Sequence, residues 1–441
     1  MNHMGQKDRM KYMKKILIIC LALWVLLAAA GCSRAAEPVP TAAQPTFPAE
    51  ETQPMTEPVP ETTVPETIPE EPEPVAEYIA EGVAVMLDGR DITGKLSDDA
   101  YYTMHSIKST QSLTVESEVP FGALYIKWET HPGPFSLTWE DGSMDCGAEG
   151  FLHDYIRLPE EVTSVAFTFA EESSCSVCEM GAYTAGTAPE GVQDWQAPCE
   201  QADILVFPTH SDDDVLFFGA VMSYYAVEAE LTVQTAFMAE HWYEPVRNHE
   251  RLDGLWTLGI RHYPILGTAW DYFSRSLEET KIYHRNDPIL DWQVEQIRRF
   301  QPLVILGHDL EGEYGHGQHR LNAYFLVQAV EAAADPAQFP ESAQNYGTWD
   351  APKLYLHLYE ENGIVFDVNT PLEKDPAGRT PFEIAEDAYQ CHRSQLQYYF
   401  KVTQDENSPL DCSRFGLYRT LVGYDTGADL MENVDADAWR Q

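Results

Sequence analysis

The stretch ILVFPTHSDDDVLFFG, residues 204–219, runs four apolar residues into a histidine, a one-residue spacer and three consecutive carboxylates, then turns apolar again. Residues 204–207 have the length of a buried strand, and the apolar residues from Val215 onward read as a helix, so the charge falls where a strand feeds a helix. Acids at that junction either cap the helix and complement its dipole, or they hold a cation. One cap suffices, and three adjacent carboxylates repel one another unless a cation is present. Capping therefore explains one acid, not three beside His210.

The same alternation repeats downstream. LTVQTAFM (231–238) precedes EPVRNHERLDGLWTLG, YPIL (263–266) precedes DPILDWQVEQIRRF, LVILG (303–307) precedes QHRLNAYFLVQAVEAAA, and KLYLHLY (353–359) precedes PFEIAEDAYQCHRSQLQYYF. Strand-like runs alternating with helix-like ones predict an α/β domain over residues 200–436, a Rossmann-like, mostly parallel sheet with helices on both faces. Ligands of such folds sit outside the carboxyl ends of the strands. His210, His241, Asp271, His308, Asp309, His316 and His319 all fall there. Two imidazoles and one carboxylate, available from His210, Asp213 and the pair His316/His319, are the ligand set of a catalytic zinc site, although iron or cobalt accepts the same donors. His316 and His319 are three apart and share a helical face if the helix includes both.

The first 32 residues read as a targeting segment. Lys7, Arg9, Lys11, Lys14 and Lys15 precede the uncharged apolar run 16–30, which is short of the roughly 20 residues a membrane span needs, and the segment ends Ala29-Ala30-Gly31-Cys32. That ending resembles a bacterial lipobox, which makes Cys32 the lipidation site and places the protein outside the cytoplasm, on the cell surface and anchored to the membrane. An ordinary secretory signal is the alternative. Residues 33–77 are dominated by Pro, Glu, Thr, Ala, Val and Gln, with no Lys or Arg between Arg34 and Arg90. Such a segment builds no core and stays extended, as a stalk. The chain's 71 acidic against 28 basic side chains, a net charge of −43, argue against a nucleic-acid partner.

Residues 78–190 show short alternating runs, SLTVESEV, ALYIKWET, FSLTWEDG, DYIRLPE and SVAFTFAE, which predict a small β-sandwich. Trp128, Trp139, Tyr125 and Phe135 serve there either as core or as a sugar-binding platform. Six cysteines follow the signal: Cys146, Cys175, Cys178, Cys199, Cys391 and Cys412. The CSVC of 175–178 suggests a zinc knuckle or redox pair, but no second Cys-x-x-Cys completes a four-thiolate site, so disulfide bridging is the expectation.

Residues 208–219 are similar to the PHPDDE motif of the PIG-L/LmbE-like zinc N-deacetylases, and GEYGHGQH (312–319) resembles that family's second metal motif. Arg247-Asn-His-Glu250 is similar to its Arg-x-x-Glu helix and AYQCHRSQ (388–395) to a late His-x-Ser-Gln stretch. The similarity spans about 202–434. It implies one Zn²⁺ per chain held by His210, Asp213 and His319, Asp212 as general base, and Tyr314 and His316 as partners of the oxyanion. It further implies Arg247 as a substrate clamp, Asp271 as a hydroxyl acceptor, and an N-acetylated amino sugar as substrate. Glu250 either serves in the Arg-x-x-Glu motif or orients Arg247 through a local ion pair, and His392 is expected to be structural. The chain departs from the family pattern at Ser211 (proline), Asp214 (glutamate) and Gln318 (aspartate, an orienting partner for His316). These departures keep two alternatives open: a glycan-binding or adhesion lipoprotein on a deacetylase scaffold, and metal capture without turnover.

Overall fold

The computed structural model describes residues 73–440. The targeting segment, Cys32 and the stalk up to residue 72 lie outside these. Residues 75–77, read from the sequence as the end of the stalk, are attached to the fold: Val75 bridges Thr187, and the Ala76 N–H donates to the Thr187 carbonyl at 2.9 Å.

The N-terminal part is an antiparallel sheet of β1 (Val83–Leu87), β2 (Arg90–Asp91), β3 (His105–Lys108), β4 (Leu113–Thr130), β5 (Phe135–Trp139), β6 (Gly142–Cys146), β7 (His153–Phe169) and β8 (Ser174–Tyr183). Its order is β2-β1-β4-β7-β5-β6, with β8 also on β4 and β3 on β8. The two separate sheets expected of a sandwich are therefore one. SLTVESEV and ALYIKWET, read as two strands, are the halves of β4, joined through a register shift between Glu116 and Ala123. Pro120 sits in that irregularity, where a missing N–H breaks no ladder bond. β1 pairs with the first half of β4 and β8 with the second, and one core takes Leu113 and Val115 from the first with Leu124, Ile126 and Trp128 from the second. Trp128, Phe135 and Tyr125 are buried, and Trp139 donates to Glu160 at 2.6 Å, so these aromatics form no open platform.

All six cysteines after the signal are free thiols, which corrects the disulfide expectation. Cys175 and Cys178 lie three apart on β8 and so point to opposite faces of the strand. Cys175 joins the sheet core, while Cys178 turns toward the C-terminal domain.

The C-terminal sheet contains β9 (Ile204–Val206), β10 (Val233–Glu240), β11 (Ile265–Trp270), β12 (Val304–Gly307), β13 (Lys353–His357), β14 (Gly363–Val365) and β15 (Arg414–Thr420), in the order β11-β10-β9-β12-β13-β15-β14. The first five are parallel, and β15 and β14 add an antiparallel edge. The helices are α1 (Asp213–Leu216), α2 (Gly219–Ser223), α3 (Val246–Thr257), α4 (Leu277–Tyr283), α5 (Ile289–Phe300), α6 (Gly317–Ala334), α7 (Pro340–Tyr346), α8 (Pro381–Gln390) and α9 (Ala436–Trp439). Alternate residues of β9 feed two cores. Ile204 and Val206 pack with α2, α3 and α8, while Leu205 and Phe207 pack with α5 and α6, so helices cover both faces as the sequence predicts. β9 has β10 on one side and β12 on the other, and the crevice at their carboxyl ends is the topological switch point where ligands bind. Among the described residues no helix is long and apolar enough to cross a membrane.

Candidate metal centre and active site

Eight of the side chains the sequence singles out in this domain, His210, Asp212, Asp213, His241, Arg247, Asp271, Tyr314 and His316, line one cleft of about 430 Å³ at the switch point. His319 stands behind them, fully buried on the first turn of α6. His210 and Asp213 come from the β9–α1 junction. His210 Nδ1 lies 3.0 Å from Asp213 Oδ2 and 3.2 Å from His319 Nε2, and the same Asp213 oxygen lies 3.2 Å from His319 Nε2.

Hydrogen bonding decides which of these atoms carry protons. Gln318 donates its Nε2–H groups to the Trp270 carbonyl and to His284 Nε2, so its Oε1 is the acceptor that faces His210 Nε2 at 2.9 Å. His210 therefore keeps its proton on Nε2 and presents a bare Nδ1. His319 donates Nδ1–H to Glu313 at 2.7 Å and turns its Nε2 toward Asp213 and His210. Two imidazole nitrogens and a carboxylate oxygen thus converge within 3.2 Å of one another. Zinc arms of about 2.0–2.2 Å set tetrahedral ligand atoms roughly 3.3 Å apart, so this donor set fits a divalent ion. Burial works against charge at Asp213, yet His319 and His210 hold its carboxyl well below the usual range. Burial likewise opposes His319, whose basicity Asp213 and Glu313 nonetheless raise to about 10. Without a metal a second proton on His319 supplies the positive charge at the centre, and a divalent ion would displace that proton.

Glu313 was not singled out from the sequence. It is fully buried and accepts Nδ1–H from His308, His319 and His357 at 2.9, 2.7 and 2.8 Å. His308 in turn accepts the Thr209 N–H at 2.9 Å, which ties the β9 end to β12. The signal available was an acid inside GEYGHGQH, but it follows no helical or strand period. Gln318 does not orient His316, as the family pattern suggested for that position; it orients His210. His316 lies outside the helix as the N-cap of α6, where its Nδ1 accepts the Gln318 N–H at 3.2 Å. Burial depresses its basicity, so the ring is neutral and carries its proton on Nε2.

The three acids divide their work. Asp213 supplies the carboxylate oxygen of the converging donors. Asp212 faces the cleft at φ 119°, a backbone strain of the kind functional sites store. Burial lifts its carboxyl to about 7, against the pull of Arg247, whose Nη2 donates to Oδ1 at 2.9 Å. Asp214 holds the Asp212 N–H at 3.0 Å through Oδ1. Arg247 also reaches Asp271 at 3.2 Å, and Asp271 accepts from His241 Nδ1 at 3.2 Å, so both are engaged with the protein as well as facing the cleft. Glu250 does not hold Arg247; it accepts the Ser394 N–H and Oγ–H at 2.7 and 2.6 Å. His392 is fully buried and packs against Tyr389. Tyr314, 42% exposed and at φ 46°, sets its ring against His316, His319 and Phe400.

Fold and site together place a donor set able to hold a divalent ion at the switch point of a mostly parallel α/β sheet. No family model matches the chain. The chain is 25% identical over 233 residues to a 1D-myo-inositol 2-acetamido-2-deoxy-α-D-glucopyranoside deacetylase of Catenulispora acidiphila, covering 46% of this chain and 71% of that protein. It is 26% identical over 210 residues to the enzyme of the same name from Streptomyces scabiei, covering 41% of this chain and 64% of that protein. Among solved structures, N,N'-diacetylchitobiose deacetylase from Pyrococcus horikoshii aligns at 18% identity over 46% of this chain and 74% of that chain, with a TM-score of 0.32. The sequence relatives bear out the resemblance to the PIG-L/LmbE-like N-deacetylases that the motifs carry.

Proposed function

We propose that the protein is a zinc-dependent N-deacetylase that hydrolyses the acetamide of an N-acetylated amino sugar, tethered outside a bacterial membrane through lipidated Cys32. The observation that carries this is the convergence of two imidazole nitrogens and a carboxylate oxygen beside Asp212 at the cleft. His210, Asp213 and His319 would hold the ion, with Gln318 and Glu313 fixing the tautomers of the two histidines. A divalent ion there would supply Lewis acidity toward the acetamide carbonyl and would acidify water beside it. Asp212, poised near neutrality, takes the proton of the attacking water as its oxygen bonds to the carbonyl carbon. His316 Nε2–H and the Tyr314 hydroxyl supply donors to the tetrahedral oxyanion. Asp212 then gives its proton to the amine nitrogen as the C–N bond breaks, releasing acetate and the free amino sugar. Arg247 fixes the Asp212 carboxylate in the cleft.

The surroundings favour a glycan over a small metabolite. A second cavity of about 700 Å³ adjoins the cleft, sharing Phe273, Tyr314 and Phe400 and adding Tyr399, and Phe273 and Tyr399 are 59% and 91% exposed. Exposed rings beside the reacting centre suit stacking on further sugar rings. The test is acetate release from N-acetylglucosamine and its oligosaccharides, envelope glycans and glycolipids, with Asp212→Asn in parallel. Release that grows with oligosaccharide length and vanishes in the variant supports the proposal. A zinc-loaded wild type that binds these glycans but releases no acetate transfers the assignment to glycan capture.

A further inference from the structure

Helix α3 carries chemistry on two faces. Arg247 points into the cleft, whereas His249 and Asp253 turn to the N-terminal sheet. There His249, buried, meets Glu129 near the end of β4 and Cys178 in β8. Its Nε2 lies 3.3 Å from Glu129 Oε2 and 3.9 Å from Cys178 Sγ, with the Tyr101 ring stacked on the imidazole at 4.3 Å.

Proton placement decides what these three groups are to one another. Gln193 donates Nε2–H to Asp253 at 2.7 Å and accepts Trp195 Nε1–H at 2.9 Å, so its Oε1 is fixed from both sides. That oxygen lies 2.7 Å from His153 Nδ1, which must donate. Burial keeps His153 neutral, leaving its Nε2 bare. His153 Nε2 lies 2.8 Å from His249 Nδ1, so His249 is the donor there. With Nδ1–H given to His153, His249 turns its other nitrogen, Nε2, to a carboxylate and a sulfur. Three electron-rich atoms facing one another need a positive charge between them. The Cys178 thiol has only a weak partner, the Tyr101 carbonyl at 3.5 Å. Lys127 does not supply that charge by contact; its Nζ is bound to the Tyr101 hydroxyl at 2.8 Å.

We propose that Glu129, Cys178 and His249 form a second divalent-cation site, zinc by donor type, that clamps the N-terminal sheet to the helix bearing Arg247. The candidate ligand atoms all lie within 4.8 Å of one another. Zinc arms of about 2.3 Å to sulfur and 2.0–2.2 Å to nitrogen and oxygen bring such atoms to roughly 3.3–3.6 Å, a small contraction. Mixed N, S and O donors suit zinc and cobalt over magnesium or calcium. Of the CSVC pair only Cys178 serves, because Cys175 is part of the sheet core. The clamp is separate from the cleft: it shares no ligand with it and couples to it through α3.

Cobalt separates the two sites, since only this one contains sulfur. The purified full chain is titrated with Co²⁺ while absorbance is followed for the near-ultraviolet thiolate-to-cobalt charge-transfer band. The proposal expects two equivalents bound and the band present. Cys178→Ser loses the band and one equivalent; His319→Ala loses one equivalent and keeps the band. Glu129→Gln, which retains the thiol, shifts the band to at least tenfold higher cobalt and covers the case of a misfolded Cys178→Ser. Cobalt bound with no such band, or a band that survives Cys178→Ser, overturns the site and leaves a protonated His249 paired with Glu129. Neither outcome bears on whether the cleft deacetylates.

Discussion

Replacing Glu313 with glutamine changes one atom of a buried side chain and leaves its volume intact. Oε2 of Glu313 accepts from His308 and His319, and Oε1 accepts from His357 and from the Asp309 N–H at 3.2 Å. Whichever way the introduced amide turns, its NH₂ opposes two N–H donors. Each buried donor left without an acceptor costs about 1–3 kcal/mol, so stability falls by roughly 2–6 kcal/mol. The effect on the metal is separate. His319 loses either its acceptor or the negative charge that strengthens its Nε2 as a ligand, and loss of such a partner weakens metal binding about 10- to 100-fold. That corresponds to about 1.4–2.8 kcal/mol. Competition for Zn²⁺ against a chromophoric chelator reads the affinity, and urea unfolding of the metal-stripped protein reads the stability. Glu311→Gln, on the same loop but with its side chain 83% exposed, serves as the control and should change neither. A folded Glu313→Gln variant that binds zinc within about threefold of wild type would refute the tautomer argument on which the site rests.

Other outcomes follow from the same geometry. Asp212→Asn should retain stoichiometric metal while acetate release drops about 10²- to 10⁴-fold, the usual worth of a general base. Gln318→Leu removes the acceptor of His210 Nε2–H and of the Tyr272 N–H, so zinc affinity should fall about tenfold by the same competition assay. Gly317→Ala would drive a Cβ into Ser274 Oγ and Thr280 Oγ1, and differential scanning calorimetry should show a loss of roughly 1–3 kcal/mol with weakened metal retention. Tyr399→Ala should raise KM for oligosaccharides several-fold, by roughly 0.5–1.5 kcal/mol, without altering KM for the monosaccharide.

The C-terminal fold was legible because its signals are local. Each parallel strand is a short apolar run, each is followed by a helix-length segment, and the polar residues at the strand ends converge wherever such a sheet places its crevice. The N-terminal sheet was less so. Pro120 and Pro159 punctuate β4 and β7, and a proline in a pattern of alternation reads as a strand end, whereas a bulge lets the strand run on. Within the site, His210, Asp213 and His319 were visible from their motifs. The roles of Glu313 and Gln318 were not, because each is defined by partners on other elements: His357 on β13 for one, Trp270 and His284 for the other. The partner of Glu250 was hidden for the same reason. Its spacing from Arg247 suggested a local ion pair, but Ser394, 144 residues away in sequence, satisfies it. The partners of Cys178 are equally remote, since His249 belongs to a helix of the other domain.

The most direct measurement is acetate release by the purified full chain from N-acetylglucosamine oligosaccharides, before chelation, after removal of metal, and after Zn²⁺ is restored. The account predicts turnover that is lost on stripping, returns with zinc, and never returns in Asp213→Ala. Turnover that survives complete removal of metal, or an Asp213→Ala variant as active as wild type, would contradict it.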